Sequence, residues 1–101
     1  MEFLITLRQD WATLRERPDL RQLVAAERRV GAHLIQEGAI LRIWRLPGQR
    51  ANVGIWQAPD ATALDALLNR LPLRAWLEAE VVALATHDLE SPASPHLLET
   101  T

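Results

Sequence analysis

The chain predicts an α+β fold in the order β-α-β-β-α-β, a four-stranded antiparallel sheet with two helices on one face. Three observations carry this. Residues 40–56 hold two runs rich in Ile, Leu, Val and Trp on either side of Leu46-Pro47-Gly48-Gln49, which reads as a β-hairpin around a short loop. A stretch with helical apolar spacing lies on each side of that hairpin. The outermost segments, 2–8 and about 78–85, alternate as strands.

In the first strand, Phe3, Ile5 and Leu7 share one face and Leu4 and Thr6 the other. Residues 9–17 form a polar connection anchored by Trp11 and Leu14. Pro18 suits the first turn of a helix, where its missing N–H costs nothing, and Asp19 suits the positive helix end. That helix is predicted to run to about Glu37 and to stop at Gly38. Its apolar stripe is Leu20, Leu23, Val24, Val30, Gly31, Leu34 and Ile35, and Glu27 falls inside it. A carboxylate on an apolar face needs either a cationic partner, such as an Arg, or a purpose, such as a general base with a raised pKa.

The hairpin is predicted to place Leu41, Ile43 and Arg45 on one face and Ile40, Arg42, Trp44 and Leu46 on the other. In its second strand Ala51, Val53 and Ile55 oppose Asn52, Gly54 and Trp56. A half-exposed strand alternates cleanly between apolar and polar residues, and these do not. One face therefore belongs against the chain's own helices and the other against a second copy, a homodimer. Asp60 is a natural N-cap for a helix over 61–70, with Leu64, Leu67, Leu68 and Leu71 as its stripe. Leu71-Pro72-Leu73 stops it, and Trp76 lies in a short connection. From His87 onward Ser, Pro and Thr dominate. The domain is drawn as 1–88, with 89–101 as a tail whose Leu97 and Leu98 could dock on a neighbouring subunit. The element order is the ferredoxin-like arrangement, with a pocket expected between helices and sheet near Glu27.

Bulk properties narrow the function. The 101 residues make one domain with a modest core. A net charge of -2, with basic residues scattered among acidic ones, gives no nucleic-acid footprint. No apolar run is long enough to span a membrane, and the first residues lack the pattern of a secretory signal. Absent cysteines exclude disulfides and Cys nucleophiles, and point to the cytoplasm. All eleven basic residues are Arg and there is no Tyr, so acid–base work falls to Asp, Glu or His. His33, His87 and His96 are far apart in sequence, so no metal site is expected.

The chain resembles the muconolactone Δ-isomerases, small cofactor-free enzymes of aromatic catabolism. The resemblance runs collinearly from Phe3 to His87. It rests on Glu27 followed by a basic residue, Leu34, Gly38, Trp44-Arg45, Gly48, Ala51-Asn52, Leu64, Leu67-Leu68, Leu71-Pro72-Leu73, Glu80-Val81, Leu84 and His87. It implies a ferredoxin-like subunit in a dimer or larger ring-like homo-oligomer, and a proton shift within a small unsaturated lactone. Such a reaction needs a base that can return its proton, donors for the developing oxyanion and a cation for the substrate's carboxylate.

By that resemblance Glu27 is the base and Asn52 the amide donor. Arg45 or Arg50 holds the carboxylate, and Trp44 and Gln49 complete the substrate-contacting set. Read as residues alone, Asn52 could instead cap the turn, and the two arginines could be surface charges. The family carries His and Tyr after the turn glycine, where this chain has Gln49 and Arg50. It also differs at Leu4, Thr6, Arg8 and Ala75-Trp76, which predicts a reshaped, more apolar pocket. A non-catalytic ligand-binding or assembly member, or a related cyclase or dehalogenase acting on another substrate, are the alternative readings.

Overall fold

The computed structural model describes residues 1–90. Strands β1 (Glu2–Gln9), β2 (Ile40–Arg45), β3 (Ala51–Gln57) and β4 (Leu77–Leu84) form one antiparallel sheet in the order β2-β3-β1-β4. Helices α1 (Trp11–Leu14), α2 (Leu20–Gln36) and α3 (Ala61–Leu68) fill the connections. The long helices α2 and α3 cover one face, which is the ferredoxin-like α+β arrangement.

The alternation in β1 sets the layering. Phe3, Ile5 and Leu7 are buried beneath the helices. Their cross-strand partners on β3 are Trp56, Gly54 and Asn52, so those three share the covered face. Leu34 of α2, Leu64 and Leu68 of α3, Leu71 and Trp56 close this core. The other face carries Leu4, Val53 and Ile55, with Trp44 and Val82 at 42% and 46% exposure. Large apolar groups thus stand on both faces.

Local signals explain the element ends. Gly38 adopts φ +81°, where a Cβ would be strained, and closes α2 in a Schellman motif. Its N–H donates to Ile35 O at 3.1 Å and the Ala39 N–H to Leu34 O at 2.9 Å. Asp60 caps α3 by accepting the Ala63 N–H at 2.8 Å. The β2–β3 turn is closed by Gln49 N–H to Leu46 O at 3.2 Å, with Gly48 at φ +77°.

The structure departs from the sequence expectation in four places. The polar connection contains helix α1, capped by Asp10, with Leu14 fully buried. Helix α2 begins at Leu20 rather than Pro18, because the Asp19 carboxylate binds Arg17 at 3.0 Å and makes no side-chain cap. Helix α3 ends at Leu68, and a 3₁₀ turn over Arg74–Trp76 leads into β4.

The fourth departure changes a face. A register shift between Ile40 and Arg42 puts an extra residue, Leu41, into β2. Ile40 pairs with Trp56 and is buried under the helices, whereas Arg42 pairs with Ile55 on the open face. Strict alternation had put Ile40 and Arg42 together. A 3₁₀ turn at Asp88–Glu90 follows β4, and the proposed docking of Leu97 and Leu98 lies outside the described residues.

Candidate active site

Glu27 sits midway along α2 and is half-buried. Its Oε1 accepts the backbone N–H of Leu73 at 3.0 Å, from the segment that follows α3. Burial pushes its carboxyl above the ordinary glutamate range, and the Leu73 hydrogen bond opposes that only in part. Among the described residues the salt bridges are Arg15–Glu16, Arg17–Asp19 and Arg70–Glu37, so the intrachain Arg partner considered for Glu27 is replaced by a backbone donor. A carboxylate desolvated, oriented and without a cation has the properties of a general base.

The α2 face that carries Glu27 is apolar and only partly covered. Along its helix Val24 and Ile35 are 40% and 52% exposed, so the buried stripe is narrower than the apolar one. Gly31, one turn beyond Glu27, has open space where a Cβ would sit. Helix α2 packs over β2, where Ile43 pairs with Gly54 on the helix-covered face and remains 43% exposed. Val24, Ile35 and Ile43 thus leave apolar surface uncovered on α2 and on the helix side of β2.

Asn52 and Arg45 are direct partners across β2–β3, so both stand on the covered face at the turn end of that ladder. Asn52 Oδ1 is buried without a hydrogen bond, and the turn is closed by backbone groups, so Asn52 does not cap it. Arg45, Gln49 and Arg50 line one surface hollow of about 540 Å³ at this turn, and Glu27 lies outside it. Gln49 accepts from Arg8 at 2.6 Å. Arg50 stacks over Trp11 at 3.6 Å from the ring centroid, a cation–π contact. Trp44 pairs with Val53 on the opposite face of the sheet, beside Arg42, and so stands away from Glu27 and Asn52.

Sequence reasoning missed two groups. Leu73 holds Glu27 through its backbone, which no side-chain pattern reports. Trp56 reads as a core residue, and it is 1% exposed, but its Nε1 is also buried and unpartnered. Among the described residues no group of three or more metal-binding side chains occurs, and no helix is long and apolar enough to cross a membrane.

Fold and site together define a class: small ferredoxin-like α+β proteins with a half-buried carboxylate on the apolar face of a helix, held by a backbone donor. The muconolactone delta-isomerase family model matches residues 1–90, and the chain belongs to that family. It is 33% identical over 75 residues to the muconolactone Delta-isomerase of Pseudomonas aeruginosa, covering 74% of each chain. It is 31% identical over 86 residues to that of Rhodococcus opacus, covering 83% of this chain and 92% of the relative. The crystal structure of a muconolactone isomerase superposes with a TM-score of 0.71 at 29% identity, over 95% of this chain and 96% of that one.

Proposed function

We propose that this chain is a cofactor-free isomerase that moves a proton, and with it a double bond, within a small unsaturated lactone of the muconolactone type. The observation that carries the reading is the state of Glu27: half-buried, held by the Leu73 N–H and without a cationic partner among the described residues. Family membership supports the reaction class.

In this reading the Glu27 carboxylate takes a proton from the lactone ring carbon. The released electron pair delocalises toward the carbonyl oxygen, giving a dienolate. The Asn52 side-chain amide donates to that oxygen, where a donor is worth most in a site shielded from water. Protonated Glu27 then returns the proton to another carbon of the conjugated system, and the carboxylate is restored. A raised pKa narrows the gap between base and conjugate acid, which suits a group that performs both steps. Arg45, beside Asn52, offers a planar fork to the substrate's carboxylate, with Gln49 and Arg50 at the same hollow.

Residues 1–88 form the working unit, in the cytoplasm and in aromatic catabolism. A second copy is proposed to cover the open face, giving at least a homodimer; the exposed Trp44 and Val82 support it. From its face, Trp44 belongs to that contact rather than to the helix-covered side that holds Glu27 and Asn52. One observation favours a changed substrate with the same proton transfer. Gln49 and Arg50, which stand where the family carries His and Tyr, are engaged by Arg8 and Trp11.

The test is an ultraviolet assay of the purified protein on muconolactone beside Glu27→Gln. The variant keeps an oxygen for the Leu73 N–H and loses the base. Turnover in the wild type that disappears in the variant is the expected result; equal turnover in both removes Glu27 from the reaction. An inactive wild type that turns over another unsaturated lactone through Glu27 establishes the second reading.

A further inference from the structure

The donor that meets Glu27 belongs to the short segment that links α3 to β4. Leu71 and Leu73 are buried, and Pro72 between them has a fixed φ and no N–H to donate. The 3₁₀ turn over Arg74–Trp76 closes through Arg74 N–H to Leu71 O at 3.0 Å and Trp76 N–H to Leu73 O at 2.8 Å. The Leu73 N–H stands at the start of that turn, which has no side-chain cap of its own. Glu27 takes the place of one, reaching over from α2 with Oε1 at 3.0 Å. How firmly Glu27 is aimed therefore depends on how firmly this turn is held.

One side chain holds it. Arg74 reaches along the turn, and its Nη1 donates to the carbonyl oxygen of Leu77, the first residue of β4, at 3.0 Å. A cationic donor makes that bond stronger than a neutral one, and it ties the turn to a strand paired along its length with β1. The far end of the turn is fixed by Asp10 N–H to Trp76 O at 2.8 Å. Arg74 makes no salt bridge among the described residues, and its Nε is buried without a partner. A buried, unpaired N–H costs stability, and an alkyl side chain would cover the turn without that cost. What the guanidinium adds over an alkyl chain is the bond to Leu77 O.

We propose that Arg74 is a positioning residue for Glu27: its guanidinium locks the turn to β4, and the locked turn keeps the Leu73 N–H on the Glu27 carboxylate. The assignment rests on the reading of Glu27 as the base and adds the group that aims it. Arg74 acts through the backbone and not as a counter-ion. The other charged groups near this contact leave the carboxylate alone. Arg28 and Arg29 on the same helix are exposed, Arg70 is engaged with Glu37, Arg45 stands at the turn end of the β2–β3 ladder, and none of them forms a salt bridge with Glu27. With Oε1 fixed, Oε2 is the oxygen left to take the proton, and its aim is lost when the donor slips.

The experiment compares the wild type with Arg74→Met and Arg74→Lys in the full chain. The first readout is the backbone ¹H–¹⁵N signal of Leu73 through the titration of Glu27. In the wild type that amide proton is expected to follow the Glu27 carboxyl. In Arg74→Met it is expected to stop following, and the Glu27 midpoint to rise further, because the donor that opposes burial is loosened. Arg74→Lys, whose ammonium can donate to Leu77 O, is expected to restore most of the coupling. A Leu73 amide that follows Glu27 equally well in Arg74→Met overturns the proposal, even if the midpoint moves, since a lost charge alone leaves the amide coupled. If Arg74→Met does not fold, the wild type still decides. A held guanidinium gives resolved Nη signals with slow rotation, and an Arg74 whose Nη groups rotate freely overturns the proposal.

The second readout is turnover. Arg74→Met is expected to lose roughly 10- to 100-fold in kcat on the active lactone, the scale of a misplaced reacting group, with KM little changed. The acid limb of kcat/KM is expected to move to higher pH with the Glu27 midpoint. Wild-type kcat and an unmoved limb in Arg74→Met overturn the proposal. The two ideas fail separately. A Leu73 amide uncoupled in Arg74→Met, in a protein that turns over no lactone, supports the clamp and sinks the reaction. Turnover through Glu27 with the amide still coupled in Arg74→Met does the reverse.

Discussion

Two glutamates, one midway along α2 and one at its C-cap, sit in opposite electrostatic surroundings. Glu37, at the helix end, binds Arg70 through two oxygens at 2.6 and 2.9 Å in full solvent. That guanidinium holds its carboxyl below the ordinary glutamate range. Glu27, midway along the helix, has a single backbone donor, and burial holds it above that range. The residue type and the helix are the same; only the neighbours differ. Glu37 is set to remain ionised and tie the end of α2 to the segment after α3. Glu27 is set to hold a proton at higher pH than a free glutamate does. A carboxylate on a helix becomes a candidate base when water is removed without a cation being supplied.

The largest effect that could break this contrast is on turnover. Glu27→Gln is expected to lower kcat by roughly 10²–10⁴-fold, the usual weight of a general base, whereas Glu37→Gln leaves kcat unchanged. Steady-state kinetics on the active lactone decide it, and equal losses in the two variants would erase the distinction. Next comes Asn52→Ala, expected to cost roughly 100-fold in kcat with little change in KM, as for a lost oxyanion donor. A rise in KM alone would make Asn52 a ground-state contact.

A core substitution gives the scale for stability. Leu34→Ala empties a fully buried site beneath α2 and is expected to cost about 2–5 kcal/mol in urea unfolding, above any effect at either glutamate. The two glutamates then act on stability with opposite signs. For Glu27 the folded pKa lies above the unfolded one, so the folded chain holds the proton more tightly. Its favourable contribution is present below the ordinary glutamate value and is lost as pH rises through the raised one. Glu27→Gln therefore raises the unfolding midpoint at pH 7. For Glu37 the folded pKa is lowered, so its contribution is present above the ordinary value and fades as pH falls through the lowered one. Glu37→Gln lowers the midpoint slightly at pH 7, and salt shrinks the difference because the pair is exposed. Midpoints moving in the same direction at low salt would contradict the assignment.

How much of this was legible in the sequence depends on which atoms do the work. Where side-chain pattern carries the information, the reading held. Alternation in β1 put Phe3, Ile5 and Leu7 inside, Gly38 ended α2, and Asp60 capped α3. The apolar stripe around Glu27 announced a carboxylate out of place. Where the backbone carries it, the sequence was silent. The bulge at Leu41 turns Ile40 to the other face through one extra residue in the ladder, and no side chain signals it. The partner of Glu27 is a main-chain N–H distant in sequence, so a search for an Arg looked in the wrong place. By residue type alone Asn52 could have capped the turn, but its register against Leu7 puts it under the helices. Trp56 looked like packing because a buried indole nitrogen has no sequence signature of its own.

Glu27 stands apart from Glu37 as the half-buried carboxylate of this fold. The most direct measurement is a ¹³C titration of the side-chain carboxyls in the folded protein, with Glu27 and Glu37 assigned by their Gln variants. Glu27 is expected to titrate above the ordinary glutamate range and Glu37 below it, with the Glu27 midpoint matching the acid limb of kcat/KM. A Glu27 midpoint at or below that of Glu37 would contradict it.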